Sequence, residues 1–422
     1  MTEPVDMTAG EPPAKKDGGL GGGEVDAELK PRYARELSET MTATRPTWAE
    51  ISREKLLHNY RVLRRLVGPE TELLAVVKAN SYGQGMETCA RILAADGAGW
   101  FGVTCVEEAV ALRAVCPAVR ILVFSGVWPG EAEAVVDHRL TPVVWEAAHF
   151  DLLEDAARRR GMSAGELPVH LEIDTGMSRQ GVQNNHLGSL LSRFGGKSPL
   201  RLEAVMTHFH SPDEREPTES QARELATAME TVARAGLHPE LLSAGSSVDV
   251  VGQSTLGVTA LAHRYGARRM VRPGIALYGY ASPQGAGAEL EPVLSWKANV
   301  TSVREIEPGT KVGYGGTFTA RRRMRLALLP VGYADGFNRL LSNKGWVLIR
   351  GKRAPVTGRV SMDQTTVDVT DIAGAAAGDE VVIIGTQGSE RLTATDLAEL
   401  TGTIPYEVLC EIAARVPRKL VS

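Results

Sequence analysis

A lysine closes one of the most apolar runs in the chain. Residues Leu73 to Gly85 read LLAVVKANSYGQG, an apolar, partly β-branched run of the kind that forms a buried parallel strand. It ends in Lys78 and then in the turn formers Asn80, Ser81, Gly83 and Gly85. An ammonium at the end of a buried strand must reach water or a partner, and desolvation there lowers its pKa towards nucleophilic use. A side chain that snorkels to the surface fits the local wording equally well. Further along, EIDTGMSRQG puts Asp174, Thr175 and Arg179 behind another apolar run, and MTHFHSPD puts His208, His210 and Asp213 behind a third. Two histidines separated by one residue suggest a metal site, but no acidic or sulfur ligands are spaced to complete it, so no metal is assigned. SAGSSVD, with Ser246 in a run of small residues before a helical stretch, has the make-up of an anion cradle built from backbone N–H groups. In VRPGIALYG, Arg272 sits in an apolar run and needs a partner, either a core carboxylate or a ligand atom. KVGYGGTF sets Tyr314 at a glycine-rich bend, which suits a plain strand tyrosine as well as a catalytic base.

Such residues need a scaffold that brings strand ends together. From Thr47 onward, eight apolar runs (LLAVVK, WFGVTCV, RILVFSG, TPVVW, VHLEID, LEAVMTHF, ELLSAG and MVRPGIALYG) alternate with amphipathic helical stretches, several of which stop at Gly. Eight βα repeats predict an α/β fold, a (β/α)8 barrel whose chemistry sits at the C-terminal ends of the strands. A doubly wound open sheet is the alternative, but no G-x-G-x-x-G follows the first strand. After about Pro283 the pattern changes to strand-like runs with tight turns: LSWKANVTSVREI, RLALLPVGYADG, WVLIRG, TTVDVT and EVVIIG. A short helix at TATDLAEL and the run YEVLCEIAARVPR follow. The expected organisation is a disordered extension over 1–45, a barrel over 46–284 and a mostly β domain over 285–422.

Composition narrows the function classes. The 422 residues carry a net charge of −4 from 47 basic and 51 acidic side chains, well mixed and without a basic stripe, so nucleic acid is not an expected partner. No apolar run approaches the roughly 20 residues that cross a bilayer, so no membrane partner is expected. Cys89, Cys105, Cys116 and Cys410 are scattered without metal-ligand spacing, as in a reduced, cytoplasmic protein. The first 45 or so residues contain GEPPAKKDGGLGGG and lack the apolar core of a secretory signal.

Taken in order, these phrases resemble the alanine racemase family, enzymes that use pyridoxal 5'-phosphate (PLP) and are built on a (β/α)8 barrel followed by a β domain. The resemblance implies that Lys78 forms the Schiff base with PLP and that Tyr82, Ser246, Gly274 and Ile275 contact its phosphate. It implies that His208 stacks near or hydrogen-bonds the cofactor region and that Arg272 faces the pyridine nitrogen. An acidic residue there would keep that nitrogen protonated and make PLP a strong electron sink, whereas Arg favours reprotonation at Cα over side reactions. Arg179 matches the arginine that positions PLP and the substrate carboxylate, and Tyr314 matches a second catalytic base. Lys78 would then serve the D-enantiomer of alanine and Tyr314 the L-enantiomer, supplying D-alanine for peptidoglycan. PVGYADGFNR, GRVSMDQ and TIPYEVLCEIAARVPR complete the set, with Tyr333, Asp335, Arg339, Met362, Asp363, Tyr406 and Arg415. Tyr333, Met362 and Asp363 fall on the substrate side and Tyr406 on the cofactor side, and Tyr333, Met362 and Tyr406 would narrow the entrance. A free tyrosine ionises near pH ~10, so Tyr314 needs a cationic or donor neighbour, for which His208 is the candidate. The family also implies a head-to-tail homodimer whose sites take Lys78 from one chain and Tyr314, Met362 and Asp363 from the other.

Three features depart from the family pattern. Glu172 stands where the family commonly has a carbamylated lysine, which keeps an anion for Arg179 on a shorter stem. Gly245 stands where an asparagine is usual, and the stretch from Ser246 to Arg272 is longer, with GVTALAHRYG inserted. Other functions remain open: a broad-specificity or serine or lysine racemase sharing these motifs, a barrel-type decarboxylase, which Arg272 disfavours, and a non-catalytic PLP-binding protein, which needs neither Tyr314 nor the β domain.

Overall fold

The apolar runs between Glu72 and Val271 form strands because their side chains are buried on both faces, as a barrel wall between a filled interior and surrounding helices requires. The computed structural model describes residues 45–252, 257–281 and 289–422. The expected extension over 1–45 lies outside these residues except for Arg45, and the expected boundary at 284/285 also lies outside them. Residues Pro46–Ser422 form one compact unit.

Its strands in chain order begin with β1 (Thr47–Ser52). The next eight are β2 (Glu72–Val76), β3 (Trp100–Val103), β4 (Arg120–Val123), β5 (Thr141–Val144), β6 (Leu167–Glu172), β7 (Leu200–Met206), β8 (Leu241–Ser243) and β9 (Arg268–Val271). These eight pair in parallel and close into a barrel, where Leu73 meets Val271 across the β2–β9 seam. They are the eight runs read from the sequence, and helices such as Met86–Ala95, Val106–Val115 and Arg215–Arg234 cross between them. The chain is therefore a (β/α)8 barrel followed by mostly β structure.

Two pairings were not legible in the sequence. β1 does not join the barrel, although it lies in the stretch read as barrel: it runs antiparallel to β10 (Leu294–Asn299). It is also parallel to the last strand of the chain, Arg418–Val421. The alternation of β1, with Ala49 and Ile51 buried and Trp48 and Glu50 half-exposed, fits a one-sided sheet rather than a barrel wall. The run LSWKANVTSVREI divides into β10 and β11 (Ser302–Ile306), which enter different sheets. Between them the Val300 N–H bonds Asp379 O and the Thr301 N–H bonds Leu328 O, turning the chain from one sheet to the other. Tyr314 lies in a short turn, Tyr314–Gly316, between the two-residue strands β12 (Lys311–Val312) and β13 (Phe318–Thr319).

Candidate active site

The strand ends meet around a cavity of about 560 Å³ lined by Lys78, Tyr82, Arg179, His208, Ser246 and Arg272. Glu172, Gly274, Ile275 and Tyr406 also line it. The cofactor- and substrate-binding residues expected on the barrel converge here with Tyr406, whereas Asp174, Thr175 and Asp213 do not line the cavity. Tyr314, Tyr333, Met362 and Asp363 do not line it.

Lys78 follows β2 by two residues and opens an unusual turn. Ala79, Asn80, Ser81 and Tyr82 all have φ between 51° and 56°, a left-handed conformation that costs roughly 1–2 kcal/mol for each residue with a Cβ. The turn persists because its polar groups are held. The Ser81 N–H bonds Val77 O at 2.9 Å, the Gly83 N–H bonds Ala79 O at 2.9 Å, and the Met86 N–H bonds Asn80 Oδ1 at 2.8 Å. Gly83 ends it at φ 80°, and a Cβ there would stand 2.2 Å from Leu409 O, so only glycine lets the helix Pro405–Cys410 approach. Arg418 Nε donates to Gly83 O at 2.9 Å, tying the C-terminal strand to the same turn. Burial depresses the Lys78 pKa and the charges of Arg179 and Arg272 push it the same way, while Glu108 and Cys410 oppose.

Tyr82 closes the turn and lines the cavity. Its ring packs on Tyr278 with centroids 5.1 Å apart and on Tyr406 at 6.0 Å, and Tyr278 is anchored by its hydroxyl on Val76 O. A Cβ on residue 274 would stand 2.2 Å from the Tyr82 hydroxyl. Ser247 Oγ accepts the N–H groups of Gly274 at 2.9 Å and Ala276 at 3.2 Å, so the Gly274 N–H expected to face a ligand already has an internal acceptor. Ser246 N–H and Oγ–H both donate to Asp249 Oδ2, at 2.6 and 2.9 Å, in a capping box that starts the helix Ser247–Val251. Ser247 and Asp249 were missed in the sequence, where nothing distinguishes them from the small and acidic residues of any helix start.

Arg272 is buried, with 7% of its surface exposed. Its partner is not a core carboxylate: Nη1 donates to Ser243 Oγ at 2.7 Å and Nη2 to Thr207 O at 2.7 Å. His208 Nδ1 lies 3.4 Å from the same Nη2. Burial, with the charges of Arg272, Arg179 and Lys78, depresses the His208 pKa to about 3. His208 is thus a neutral ring, so of the two roles expected of it beside Tyr314, cation or donor, the cationic one is corrected: burial and the fields of Arg272, Arg179 and Lys78 oppose a charge on it.

At the end of β6, Asp174 Oδ1 accepts the N–H groups of Gly176 (3.0 Å) and Ser178 (2.9 Å), shaping the loop that carries Arg179 to the cavity edge. Glu172 is 3% exposed. The hydrogen-bond partner of its Oε2 is Gln180 Nε2 at 2.5 Å, and that amide also bonds Phe124 O at 3.0 Å. Arg179, expected as the partner, acts on Glu172 only through its field. Burial raises the Glu172 pKa, and the Gln180 bond with the fields of Arg272 and Arg179 restrains the rise. His210 also lines the cavity, with its N–H on Gln221 Oε1 and its ring beside Ser211.

Beyond the barrel, Tyr314 is 71% exposed, Met362 53% and Tyr333 42%. These three belong to adjoining loops: the Tyr333 N–H bonds Ser361 O and the Ala334 N–H bonds Met362 O, both at 3.0 Å. Arg415 clamps two of the loops, donating from Nε to the buried Asp335 at 2.7 Å and from Nη2 to Asp363 at 2.6 Å. Among the described residues, no group of His, Cys, Asp and Glu is arranged to hold a metal ion, and no helix is long and apolar enough to cross a membrane.

Comparison with known proteins agrees with this geometry. The alanine racemase N-terminal domain family matches residues 51–282 and the alanine racemase C-terminal domain family matches residues 293–420. An alanine racemase of Symbiobacterium thermophilum is 41% identical over 378 residues, covering 89% of this chain and 97% of its own length. The solved alanine racemase of Streptomyces lavendulae, a producer of D-cycloserine, superposes with a TM-score of 0.80 at 30% identity, covering 90% of this chain and 97% of that one. That of Bartonella henselae, which carries covalently bound pyridoxal phosphate, superposes with a TM-score of 0.76 at 30% identity, covering 89% and 99%. With both halves of the fold matched and the barrel-mouth residues converging on one cavity, the chain belongs to the alanine racemase family and is an isomerase.

Proposed function

We propose that this protein interconverts L-alanine and D-alanine with PLP bound at Lys78, using Lys78 and Tyr314 as bases on opposite faces of Cα. The observation that carries the reading is Lys78 itself: a half-buried amine of depressed pKa, at a barrel strand end, facing the cavity. The site fits PLP. Gly274 leaves room for the Tyr82 hydroxyl where any Cβ would displace it, Ser246 and Ser247 line the cavity as small residues, and the cationic Arg272 lines it too, held by Ser243 and Thr207. When bound, PLP would supply the electron-withdrawing ring that makes the alanine Cα proton acidic. Tyr82 and Ile275 would hold the phosphate, Ser246 would join them by turning its hydroxyl away from Asp249, and Tyr406 would cover it. Arg272 would present a permanent donor to the ring nitrogen and so deny it a proton. His208, being neutral, would accept or donate one hydrogen bond without adding charge. Arg179 would attract the substrate carboxylate. Lys78 Nζ would take or return the proton on one face and the Tyr314 oxygen on the other.

Tyr314 and its neighbours Tyr333 and Met362 are exposed aromatic and apolar groups that do not line this chain's own cavity, which supports a homodimer in which each chain caps the other's barrel. Asp363, with Arg415 fixing its carboxylate, would enter with them on the substrate side. We assign the barrel to 46–284 and the β domain to 285–422, a division supported by family matches at 51–282 and 293–420. The four free cysteines suit a reducing, cytoplasmic setting in which D-alanine feeds peptidoglycan.

The test is direct. The purified protein is incubated with PLP, reduced with borohydride, digested and mapped by mass spectrometry, and racemisation is followed by polarimetry over a panel of L-amino acids. The expected result is pyridoxyl label on Lys78, lost in Lys78→Ala, and turnover highest with alanine. Label on another lysine, or faster turnover of serine, lysine or arginine, would overturn the assignment.

A further inference from the structure

We infer that Glu108 is the positioning residue for Lys78, its carboxylate fastening the turn that carries the lysine to the end of the neighbouring strand. This rests on the reading of Lys78 as the cofactor lysine. Glu108 stands in the first turn of the helix Val106–Val115, in the next βα unit. Its Oε1 accepts the N–H of Ala79 at 2.7 Å, and its Oε2 accepts the N–H of Thr104 at 2.9 Å. Ala79 directly follows Lys78 and begins the left-handed turn, while Thr104 follows β3 and lines the cavity. Since β2 and β3 are paired neighbours, one carboxylate ties two adjacent strand ends at the cavity mouth.

The bonds of the left-handed turn itself start from Ser81, Gly83 and Met86. They hold the turn's shape without fixing its first peptide to the barrel, and that fixing is what Glu108 provides. The chemistry of the clamp is specific. Two backbone N–H groups need two acceptors, and only a carboxylate offers one on each oxygen. Glutamine keeps one acceptor and turns an NH2 towards the other N–H, and aspartate keeps both oxygens but falls a methylene short. The carboxylate also bears on the ammonium of Lys78. Arg179, Arg272 and His208 face that group as well, with Cys410 from the helix Pro405–Cys410. Among them Glu108 is the one carboxylate whose charge favours the protonated amine.

Full-length wild type, Glu108→Gln, Glu108→Asp and Glu107→Gln would be titrated with PLP from pH 6 to 10, trapped with borohydride and mapped. Glu107, exposed on the same helical turn, serves as the control. The expected result for Glu108→Gln is a dissociation constant for PLP raised about tenfold, the order of one charge-assisted bond lost, and a lower pH midpoint for capture. Glu108→Asp is expected to weaken binding while keeping the wild-type midpoint, since it retains the charge and loses the reach. Glu107→Gln is expected to match wild type in both. A Glu108→Gln protein with the wild-type constant and midpoint, still labelled on Lys78, would overturn this inference alone. Wild-type label on a residue other than Lys78 would overturn the cofactor reading and this inference together. Should Glu108→Gln fail to fold, Glu108→Asp decides: wild-type affinity in that variant removes the clamp.

Discussion

The Tyr82 hydroxyl stands 2.2 Å from where a Cβ on residue 274 would lie. Tyr82 leaves the turn after β2 and Gly274 the segment after β9, so the contact spans the seam at which the barrel closes. The strand ends on either side of that seam are held in register by the Val76 N–H, which bonds Pro273 O at 3.0 Å.

Gly274→Ala should therefore lower affinity for PLP without unfolding the barrel, because the methyl group displaces the hydroxyl and Tyr82 rotates or recedes. Tyr82→Phe removes the same hydroxyl and leaves the space. A loss of roughly tenfold in PLP affinity is expected in each, with little further loss in the double variant, since both act on one group. Full additivity in PLP titrations would show that the two residues act separately.

Lys78→Ala and Tyr314→Ala chains should each be inactive as homodimers and complement one another when unfolded and refolded together. Random pairing places about half the chains in mixed dimers, each with one intact shared site, so roughly a quarter of wild-type activity should return. No recovery in the mixture would mean that each site is built from one chain.

Glu172 carries its own carboxyl group, so activity should not respond to dissolved CO2. Assays in degassed and bicarbonate-supplemented buffer should agree, and a rise with bicarbonate would point to a lysine carrying this charge. The structure alters what Glu172→Gln is expected to do. Its hydrogen-bond partner is Gln180 rather than Arg179, so an amide in its place must find a new arrangement with the Gln180 amide. Arg179 loses a field rather than a contact. Substrate KM should rise severalfold while the PLP dissociation constant changes little; the reverse pattern would contradict this geometry.

Inside the barrel wall, Glu203 is 1% exposed and receives two bonds from Arg120, at 2.7 and 2.6 Å, with the His170 ring 3.3 Å away. Burial alone would raise its pKa, but the bonds from His170 and Arg120 outweigh it and hold the carboxyl at about 2. A carboxylate depressed in this way stabilises the fold above its unfolded value, near ~4.5, and loses that contribution as pH falls towards about 2. Allowing for the solvent around half-exposed Arg120, the contribution at neutral pH is on the order of 2 kcal/mol. Urea unfolding of wild type and Glu203→Gln should differ by about that amount at pH ~7. The gap should narrow steadily below pH ~4.5; a gap that stays constant with pH would mean the loss is one of packing.

The barrel was legible because each wall strand is a short, doubly buried run that needs no distant partner to be recognised, and each helix between them shows its own periodicity. Lys78, Arg272 and the serine-glycine run could be singled out for a related reason: a charge at the end of an apolar run, or a cluster of small residues before a helix, is anomalous where it stands. The left-handed turn after Lys78 was not legible, since Ala79, Asn80, Ser81 and Tyr82 have no common preference for positive φ. Bonds from Val77, Asn80 and Glu108 hold it instead. Glu108, Gln180 and Ser247 were missed because a glutamate in a first helical turn, an exposed-looking glutamine and a helix-start serine are ordinary in their local context.

The sequence by itself determined which residues could do chemistry and the order in which the strand ends carry them, because those depend on local type and spacing. Only the tertiary structure decided which groups meet. It gave Glu172 to Gln180, Arg272 to Ser243 and Thr207, and β1 to the C-terminal sheet. It also set His208 among Lys78, Arg179 and Arg272 and so held the ring neutral. A pKa, a hydrogen-bond partner and a strand's neighbour are properties of what surrounds a group, and closing the barrel brings together residues that the chain keeps far apart.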